Sequence, residues 1–178
     1  MTKPLHCILL AAGAVGAPAF ATQYLTAEKA QALMFPEATA FRRQDIGLTT
    51  AQMQQVEKLA GVPSRSVNWR VVAALKGDVP IGYMVLDEVI GKFELISFAV
   101  GLNPDASVRQ IEILTYRESH GGEIRNPAWR KQFVGKRAPG GLAIGDGIAN
   151  ISGATLSCTH VTDGVRRIAA IAQIVLTK

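Results

Sequence analysis

Two short stretches in the first third of the chain place apolar side chains three and four positions apart, which is helical spacing. Residues 26–34 form the first stretch, and Thr26 can cap its start. Residues 52–60 form the second, behind a Thr-Thr pair and before Gly61, which is a typical helix stop. The pattern therefore predicts two helices before any strand.

Four runs rich in β-branched and aromatic residues follow. The segments between them carry Gly, Asn, Asp and Pro, the residues that tight turns require. Strands joined by tight turns pair antiparallel with their neighbours, so the pattern predicts an antiparallel meander. The four predicted strands are residues 68–75, 81–88, 92–102 and 108–116.

The last third of the chain predicts two further helices. Residues 126–133 form a short one with Pro127 in its first turn, where a missing N–H is tolerated. Residues 157–176 form a longer amphipathic helix with one apolar stripe, on which Arg166 and Arg167 are expected to be solvated. The predicted class is α+β: an antiparallel meander flanked by helices and followed by a C-terminal amphipathic helix.

The first 21 residues have a different character. Lys3 precedes an apolar run rich in Leu, Ala and Gly, and the run ends in a small-x-small triplet, Ala19-Phe20-Ala21. This is the order of a secretory signal cleaved after residue 21. The run is shorter than the ~20 apolar residues that cross a bilayer. We therefore expect export to the periplasm, a single domain over residues 22–178, and no transmembrane segment in the mature chain.

Charge and cysteine content narrow the classes of partner and site. Without Lys3 the mature chain has 18 Lys and Arg against 14 Asp and Glu, a net charge of +4. It has no block of consecutive cations, so nucleic acid is not an expected partner. Cys158 is the one cysteine outside the signal, which excludes an internal disulfide, and we expect it to be a small buried residue. Cys158 and His160 are too few ligands for a metal site.

The segment before the last helix concentrates hydroxyl-bearing and small residues. Ser152, Thr155 and Ser157 lie within six residues, and Gly153 and Ala154 leave room for a bulky group. The N–H groups at a helix start bind phosphate readily. Ser or Thr in this position also caps helices, which is the commoner arrangement. From these residues alone, an anion site and a plain cap are both open.

The Ser-Gly-Ala-Thr-Leu-Ser sequence of this segment resembles the flavin-attachment motif of the FMN-binding domain family. That family includes the C subunit of sodium-translocating NADH:quinone reductase and the G subunit of the Rnf electron-transport complex. In the family, a dedicated periplasmic flavin transferase esterifies the last Thr of the Ser-Gly-Ala-Thr core with the phosphate of flavin mononucleotide (FMN). The resemblance implies covalent FMN on Thr155. It also implies a cofactor-binding role for Ser152, Gly153, Ala154 and Ser157.

The likeness extends upstream. The family has a His-x-Glu-Thr-Pro-Gly stretch after its sheet, and residues 116–122 fall at that place. Glu118, Ser119 and Gly121 match in type, whereas Tyr116 and His120 do not. A family helix that contains Trp and is followed by Phe-x-Gly-Lys corresponds to Trp129 and residues 133–136. The resemblance implies that Glu118 and Ser119 offer hydrogen bonds to the flavin ring. It implies that Trp129 lies against the isoalloxazine, although a core position for this Trp fits the pattern equally well.

A further position departs from the family pattern just before the motif. The family has Asp three residues before the Ser of the motif, and this chain has Ala149 there, with Asp146 three residues further back. In typical members the transferase reads that Asp. Two outcomes are therefore open: a related transferase accepts Ala149, or FMN binds without a covalent link.

No catalytic constellation accompanies these motifs. One of the three His residues, His6, lies in the expected signal, and no Ser-His-Asp set or carboxylate pair can be assembled from the sequence. The expected function is an electron carrier between membrane or periplasmic redox proteins, with the redox chemistry supplied by FMN. Two alternatives stay open: a module that binds FMN or another phosphate ligand non-covalently as a sensor or store, and a flavin-free accessory subunit.

Overall fold

The computed structural model describes residues 22–177, and the expected secretion signal, residues 1–21, lies outside this range. The described part of the chain is an antiparallel sheet with helices packed on it, which confirms the predicted α+β class. Its helices and strands are, in chain order, β1 (Thr22–Gln23), α1 (Ala27–Met34), β2 (Ala40–Arg43), β3 (Ile46–Gly47), α2 (Thr50–Ala60), β4 (Asn68–Lys76), β5 (Val79–Ile90), β6 (Leu95–Leu102), β7 (Val108–Tyr116), a 3₁₀ turn (Gly122–Arg125), α3 (Pro127–Lys131), β8 (Ala143–Ile144), β9 (Gly147–Ile148) and α4 (Thr155–Val175).

A four-stranded antiparallel meander forms the centre of the sheet. β4, β5, β6 and β7 are neighbours both in the chain and in the sheet, as predicted. The full order is β1-β7-β6-β5-β4-β2, and β3 also pairs with β4. The pattern did not predict β1, β2 or β3, because strands of two to four residues are too short to show an alternation of apolar and polar positions.

The first two helices are capped by the residues that the sequence indicated, although α2 begins at Thr50, two residues before the predicted start. Thr26 Oγ1 accepts a hydrogen bond from the Lys29 N–H at the start of α1. Thr49 and Gln52 form a reciprocal capping box at the start of α2. Gly61 ends α2 with a φ of +65°, a left-handed conformation that glycine adopts without steric cost.

Both faces of the sheet are covered. Alternate residues of each strand point to opposite faces, so Val85 and Phe98 pack in the larger core with α2 and α4, and Met84 and Ala99 pack in the smaller core with α1. α4 therefore lies across the sheet, and its first residue is near the end of β7 and the turn between β5 and β6. Neither α4 nor any other helix within residues 22–177 has the length and apolar character needed to cross a bilayer.

α4 also buries a charge that the sequence analysis placed in solvent. Arg167 is 3% exposed; its Nε donates to the Pro63 carbonyl at 2.7 Å, and its Nη1 lies 3.3 Å from Asp87 Oδ2. Burial lowers the pKa of Arg167 and raises the pKa of Asp87, and in each case the opposite charge counteracts the effect. The prediction for Arg167 was wrong because its ionic partner lies 80 residues away in the chain. Arg166 is only partly exposed and pairs with Asp163 at 2.8 Å.

Candidate functional site

The hydroxyl-rich segment forms the start of α4. Ala154 is the N-cap residue and Thr155 is the first helical residue. Within residues 22–177, no side chain makes a capping hydrogen bond at this helix start. The plain cap that the sequence left open is therefore not what the structure has. The N–H groups of the first turn are available to an anion, and the exposed Thr155 lies among them.

Gly153 and Ala154 are small for different reasons. Gly153 has a φ of +81°, a backbone conformation that favours glycine. A Cβ built on it would meet no atom within 4 Å, so the space next to Gly153 is open to a ligand. Ala154 is 4% exposed and packs against Gly121, where an added Cβ would lie 2.6 Å from the Ala154 Cβ. This contact joins the start of α4 to the loop after β7.

The three hydroxyl side chains of the segment face different surroundings. Ser152 and Thr155 are exposed, and Thr155 Oγ1 accepts a hydrogen bond from Asn150 Nδ2 at 3.0 Å. Ser157 is 4% exposed, and its Oγ lies 3.3 Å from the Tyr116 hydroxyl, which also donates to a backbone carbonyl of the loop. Burial raises the pKa of Tyr116. Ser157 thus belongs to a buried polar contact beneath the helix start.

Two adjoining cavities open around the start of α4, and Thr155 lines the smaller one. The larger, of about 860 Å³, is bounded by the loop after β7, the 3₁₀ turn and Ser152. The smaller, of about 330 Å³, is bounded by the turn between β5 and β6, the same loop and the start of α4. Ser119, His120 and Gly153 line both. Both volumes lie in the range of roughly 300–1,000 Å³ that is typical of small-molecule sites.

The cavities bring together seven of the eight residues that the sequence analysis assigned to the cofactor. Ser119 and His120 are exposed on the wall that separates the two cavities, with Ser119 Oγ 2.9 Å from His120 Nδ1. The tertiary structure therefore places the predicted loop against the predicted attachment segment. The seven residues that line one or both cavities are Glu118, Ser119, Ser152, Gly153, Ala154, Thr155 and Ser157.

The Glu118 carboxylate already has hydrogen-bond donors within the protein. Its Oε1 accepts the backbone N–H groups of Lys92, Phe93 and Glu94, the last two at 2.6 and 3.0 Å. Burial disfavours the ionised carboxylate, but the three N–H groups outweigh burial, so the pKa of Glu118 is lowered. Hydrogen bonds to the flavin ring were expected here, whereas the structure uses this oxygen to hold the turn between β5 and β6.

Phe93 is a cavity residue that the sequence analysis missed. Its side chain is 76% exposed and lines the smaller cavity together with Leu156, which is 46% exposed. The Lys92 ammonium lies 4.9 Å from the centroid of the Phe93 ring and lines the same cavity. One cavity wall thus combines exposed apolar surface with a positive charge.

Phe93 was missed because the predicted strand began too early. The sequence analysis assigned residues 92–102 to one strand, whereas β6 begins at Leu95. The Gly91 N–H donates to the Glu94 carbonyl at 2.8 Å, which closes a turn with Phe93 near its tip. The glycine was a sufficient turn signal, but the β-branched and aromatic residues after it favoured a strand.

Trp129 is the predicted cofactor residue that lines neither cavity. It is 4% exposed and packs edge-on against Phe133, with ring centroids 5.0 Å apart. Its Nε1 donates to the Ala149 carbonyl at 2.8 Å, and Gln132 Oε1 accepts the Ala149 N–H at 2.7 Å. Of the two positions that the sequence left open for Trp129, the structure has the core position, from which Trp129 anchors the backbone that precedes the start of α4.

Cys158 lies one turn inside α4 and is fully buried. Burial raises the pKa of its thiol. The structure thus confirms the expected small buried residue, and a thiol in this state is a poor nucleophile.

Comparison with known proteins agrees with the motif. The model of the FMN-binding domain family matches residues 91–170, a range that includes the turn with Phe93, the loop with Glu118 and the start of α4. No curated protein matches the chain. Among solved structures, the crystal structure of Shewanella oneidensis NqrC is similar at 14% identity, with a TM-score of 0.48, and the alignment covers 76% of this chain and 79% of that one. The resemblance expected from the sequence is confirmed: residues 91–170 match the FMN-binding domain family, and FMN is the cofactor to which this match points.

Proposed function

We propose that this protein is an exported electron carrier that holds FMN as a phosphoester on Thr155. The observation that supports this best is the position of the Thr155 hydroxyl. It is exposed at the start of α4, in the lining of the smaller of the two cavities, among N–H groups that no side chain of residues 22–177 caps. A phosphate on this oxygen gains the favourable electrostatics of a helix N-terminus.

The residues around Thr155 fit FMN in size and polarity. Gly153 leaves the approach to the helix start free of side chains. Phe93 and Leu156 offer exposed apolar surface to a flat aromatic ring system, and Lys92 adds a positive charge on the same wall. This mixture of apolar surface and a few placed polar groups is typical of cofactor sites.

FMN supplies the redox chemistry when it is bound. The chain's own residues hold the phosphate at α4, and Glu118 keeps the turn with Phe93 against the smaller cavity. A covalent link suits an exported carrier, because a cofactor made in the cytoplasm cannot be replaced after it dissociates outside. The proposal includes a periplasmic flavin transferase as the modifying partner, and membrane or periplasmic redox proteins as the electron donor and acceptor.

Co-expression of the full chain with a periplasmic flavin transferase tests the attachment. The exported protein should give a flavin-fluorescent band on a denaturing gel, and its intact mass should exceed that of the processed polypeptide by FMN less one water. Thr155→Val should abolish both signals. Thr159→Val, one helical turn further on and partly buried, is the matched control and should leave them unchanged. Fluorescence that survives Thr155→Val would place the bond on another residue.

Ala149 favours a second candidate, a domain that binds FMN without the covalent link. Ala149 is exposed, so Ala149→Asp restores the family residue without disturbing the core. If Ala149→Asp carries covalent flavin and the wild type does not, the residue at position 149 decides whether the covalent link forms. A wild-type protein that is yellow until it is denatured and filtered would support the non-covalent module, and a colourless one would support an accessory subunit.

A further inference from the structure

The side chain of Asn150 touches the hydroxyl on which the proposed function depends. Asn150 Nδ2 donates to Thr155 Oγ1 at 3.0 Å, and both residues are exposed. We infer that Asn150 is a positioning residue for the attachment of FMN: it orients the Thr155 hydroxyl before the reaction and donates to the same oxygen afterwards. This inference rests on the covalent attachment proposed above.

The backbone that carries Asn150 is fixed from both sides. The N–H and the carbonyl of Ala149, the preceding residue, are held by Gln132 and Trp129 at 2.7 and 2.8 Å. On the other side, the Ala154 N–H donates to the Ile151 carbonyl at 3.0 Å and closes a tight turn. Asn150 and Thr155 therefore face each other across a turn whose two ends are anchored.

The hydrogen bond selects one orientation of the nucleophile. Thr in a helix divides between two χ1 rotamers. The hydrogen bond from Asn150 to Thr155 Oγ1 favours the rotamer in which this bond is made. The second lone pair of Oγ1 and its proton then point away from Asn150. Holding a nucleophile in a productive orientation is a general source of rate acceleration.

The attachment of FMN changes the hydrogen bonds that Thr155 Oγ1 can make, and the Asn150 amide can donate to this oxygen before and after the reaction. The co-reactant is an activated flavin nucleotide, a phosphoanhydride of FMN such as flavin adenine dinucleotide. The Thr155 Oγ1–P bond forms, the anhydride P–O bond breaks, the nucleoside monophosphate leaves, and the hydroxyl proton passes to a base. Esterified Oγ1 can only accept hydrogen bonds, so the amide of Asn150 serves the reactant and the product alike. A carboxylate at position 150 would instead face the negative phosphate.

The test measures the initial rate of covalent flavin labelling with the mature chain, flavin adenine dinucleotide and a flavin transferase. Asn150→Ala and Asn150→Asp should each be labelled about tenfold more slowly than the wild type, the effect of losing one hydrogen bond in the transition state. Asn103→Ala is the matched control, because Asn103 Nδ2 also donates to a hydroxyl, Ser107 Oγ at 2.9 Å, but in the distant turn between β6 and β7. It should be labelled at the wild-type rate.

The outcomes separate the inference from the function on which it rests. Labelling of Asn150→Ala at the wild-type rate would overturn the inference and leave the proposed function intact. Labelling of Asn150→Asp at or above the wild-type rate would overturn the donor role, because this variant has the same shape and lacks the N–H. If Asn150→Ala fails to fold, the isosteric Asn150→Asp decides alone. A wild-type chain that is never labelled would end the covalent function and the inference together.

Discussion

Replacing Glu118 by Ala tests whether this carboxylate organises the candidate site. Its Oε1 receives three consecutive N–H groups from the turn between β5 and β6, and these contacts span 24 to 26 residues of chain. Without the carboxylate, the turn that carries Phe93 loses its attachment to the loop after β7. We expect Glu118→Ala to lower stability and to weaken FMN binding at the smaller cavity.

The size of the stability loss follows from the contacts. A hydrogen bond to a charged group contributes about 1.5–3 kcal/mol. The three bonds share one oxygen and the side chain is only partly buried, so water replaces part of what is lost and the contributions do not add. We expect a decrease of about 2 kcal/mol in the free energy of unfolding. For a chain of this size, that is a fall in Tm of about 4–8 °C.

The stability that Glu118 contributes should decrease as the pH falls. The pKa of Glu118 is lowered in the folded protein, so its stabilisation is fully present above the unfolded-state pKa of about 4.3. It is lost as the pH falls through the lowered folded-state pKa. In thermal melts followed by circular dichroism, the gap in Tm between wild type and Glu118→Ala should therefore be largest near pH 7 and should shrink as the pH is lowered towards 3.

A matched control is available in the 3₁₀ turn that follows this loop. Glu123→Ala removes a carboxylate that is exposed and lines the larger cavity. Its stability at pH 7 should stay within about 0.5 kcal/mol of the wild type, as is usual for substitutions of exposed residues. Equal melting temperatures for Glu118→Ala and wild type at pH 7, or a gap that widens on acidification, would refute the assigned role of Glu118.

Three further predictions concern groups that the structure buries. Trp129→Phe should lower the free energy of unfolding in urea by about 1–2 kcal/mol and should slow flavin labelling, because it frees the Ala149 carbonyl. Arg167→Leu should cost about 3 kcal/mol in the same assay, because it leaves the partly buried Asp87 without its ionic partner. Cys158 should resist maleimide at pH 7 in the native protein and react once the chain is unfolded in urea, which intact-mass analysis detects.

Each of these has its own control. Trp69→Phe removes a similar bond, from Nε1 to the Ser66 carbonyl at 3.0 Å, so it should cost comparable stability and leave labelling unchanged. Adding Asp87→Leu to Arg167→Leu should recover much of the loss, since no unpaired charge then stays buried. Rapid alkylation of native Cys158 would contradict its burial.

The elements with a strong local pattern were predictable. Thr49, Gln52 and Gly61 specify the start and end of α2 through contacts within three or four residues. The four long strands of the meander are rich in β-branched and aromatic residues and are separated by turn residues, and these signals need no distant partner. The Ser-Gly-Ala-Thr-Leu-Ser motif was recognisable for the same reason, because its residues are consecutive in the chain.

The tertiary structure alone decided which groups meet. Glu118 binds a turn that precedes it by 24 to 26 residues, and Arg167 pairs with Asp87 across 80 residues. Trp129 supports Ala149 from the core. A repeating pattern shows which side of an element is buried, but the partner on that side depends on how the strands and helices pack. The sequence by itself therefore determined the longer helices and strands and the Ser-Gly-Ala-Thr-Leu-Ser motif, and the packing of the sheet against α4 determined the surroundings of Thr155.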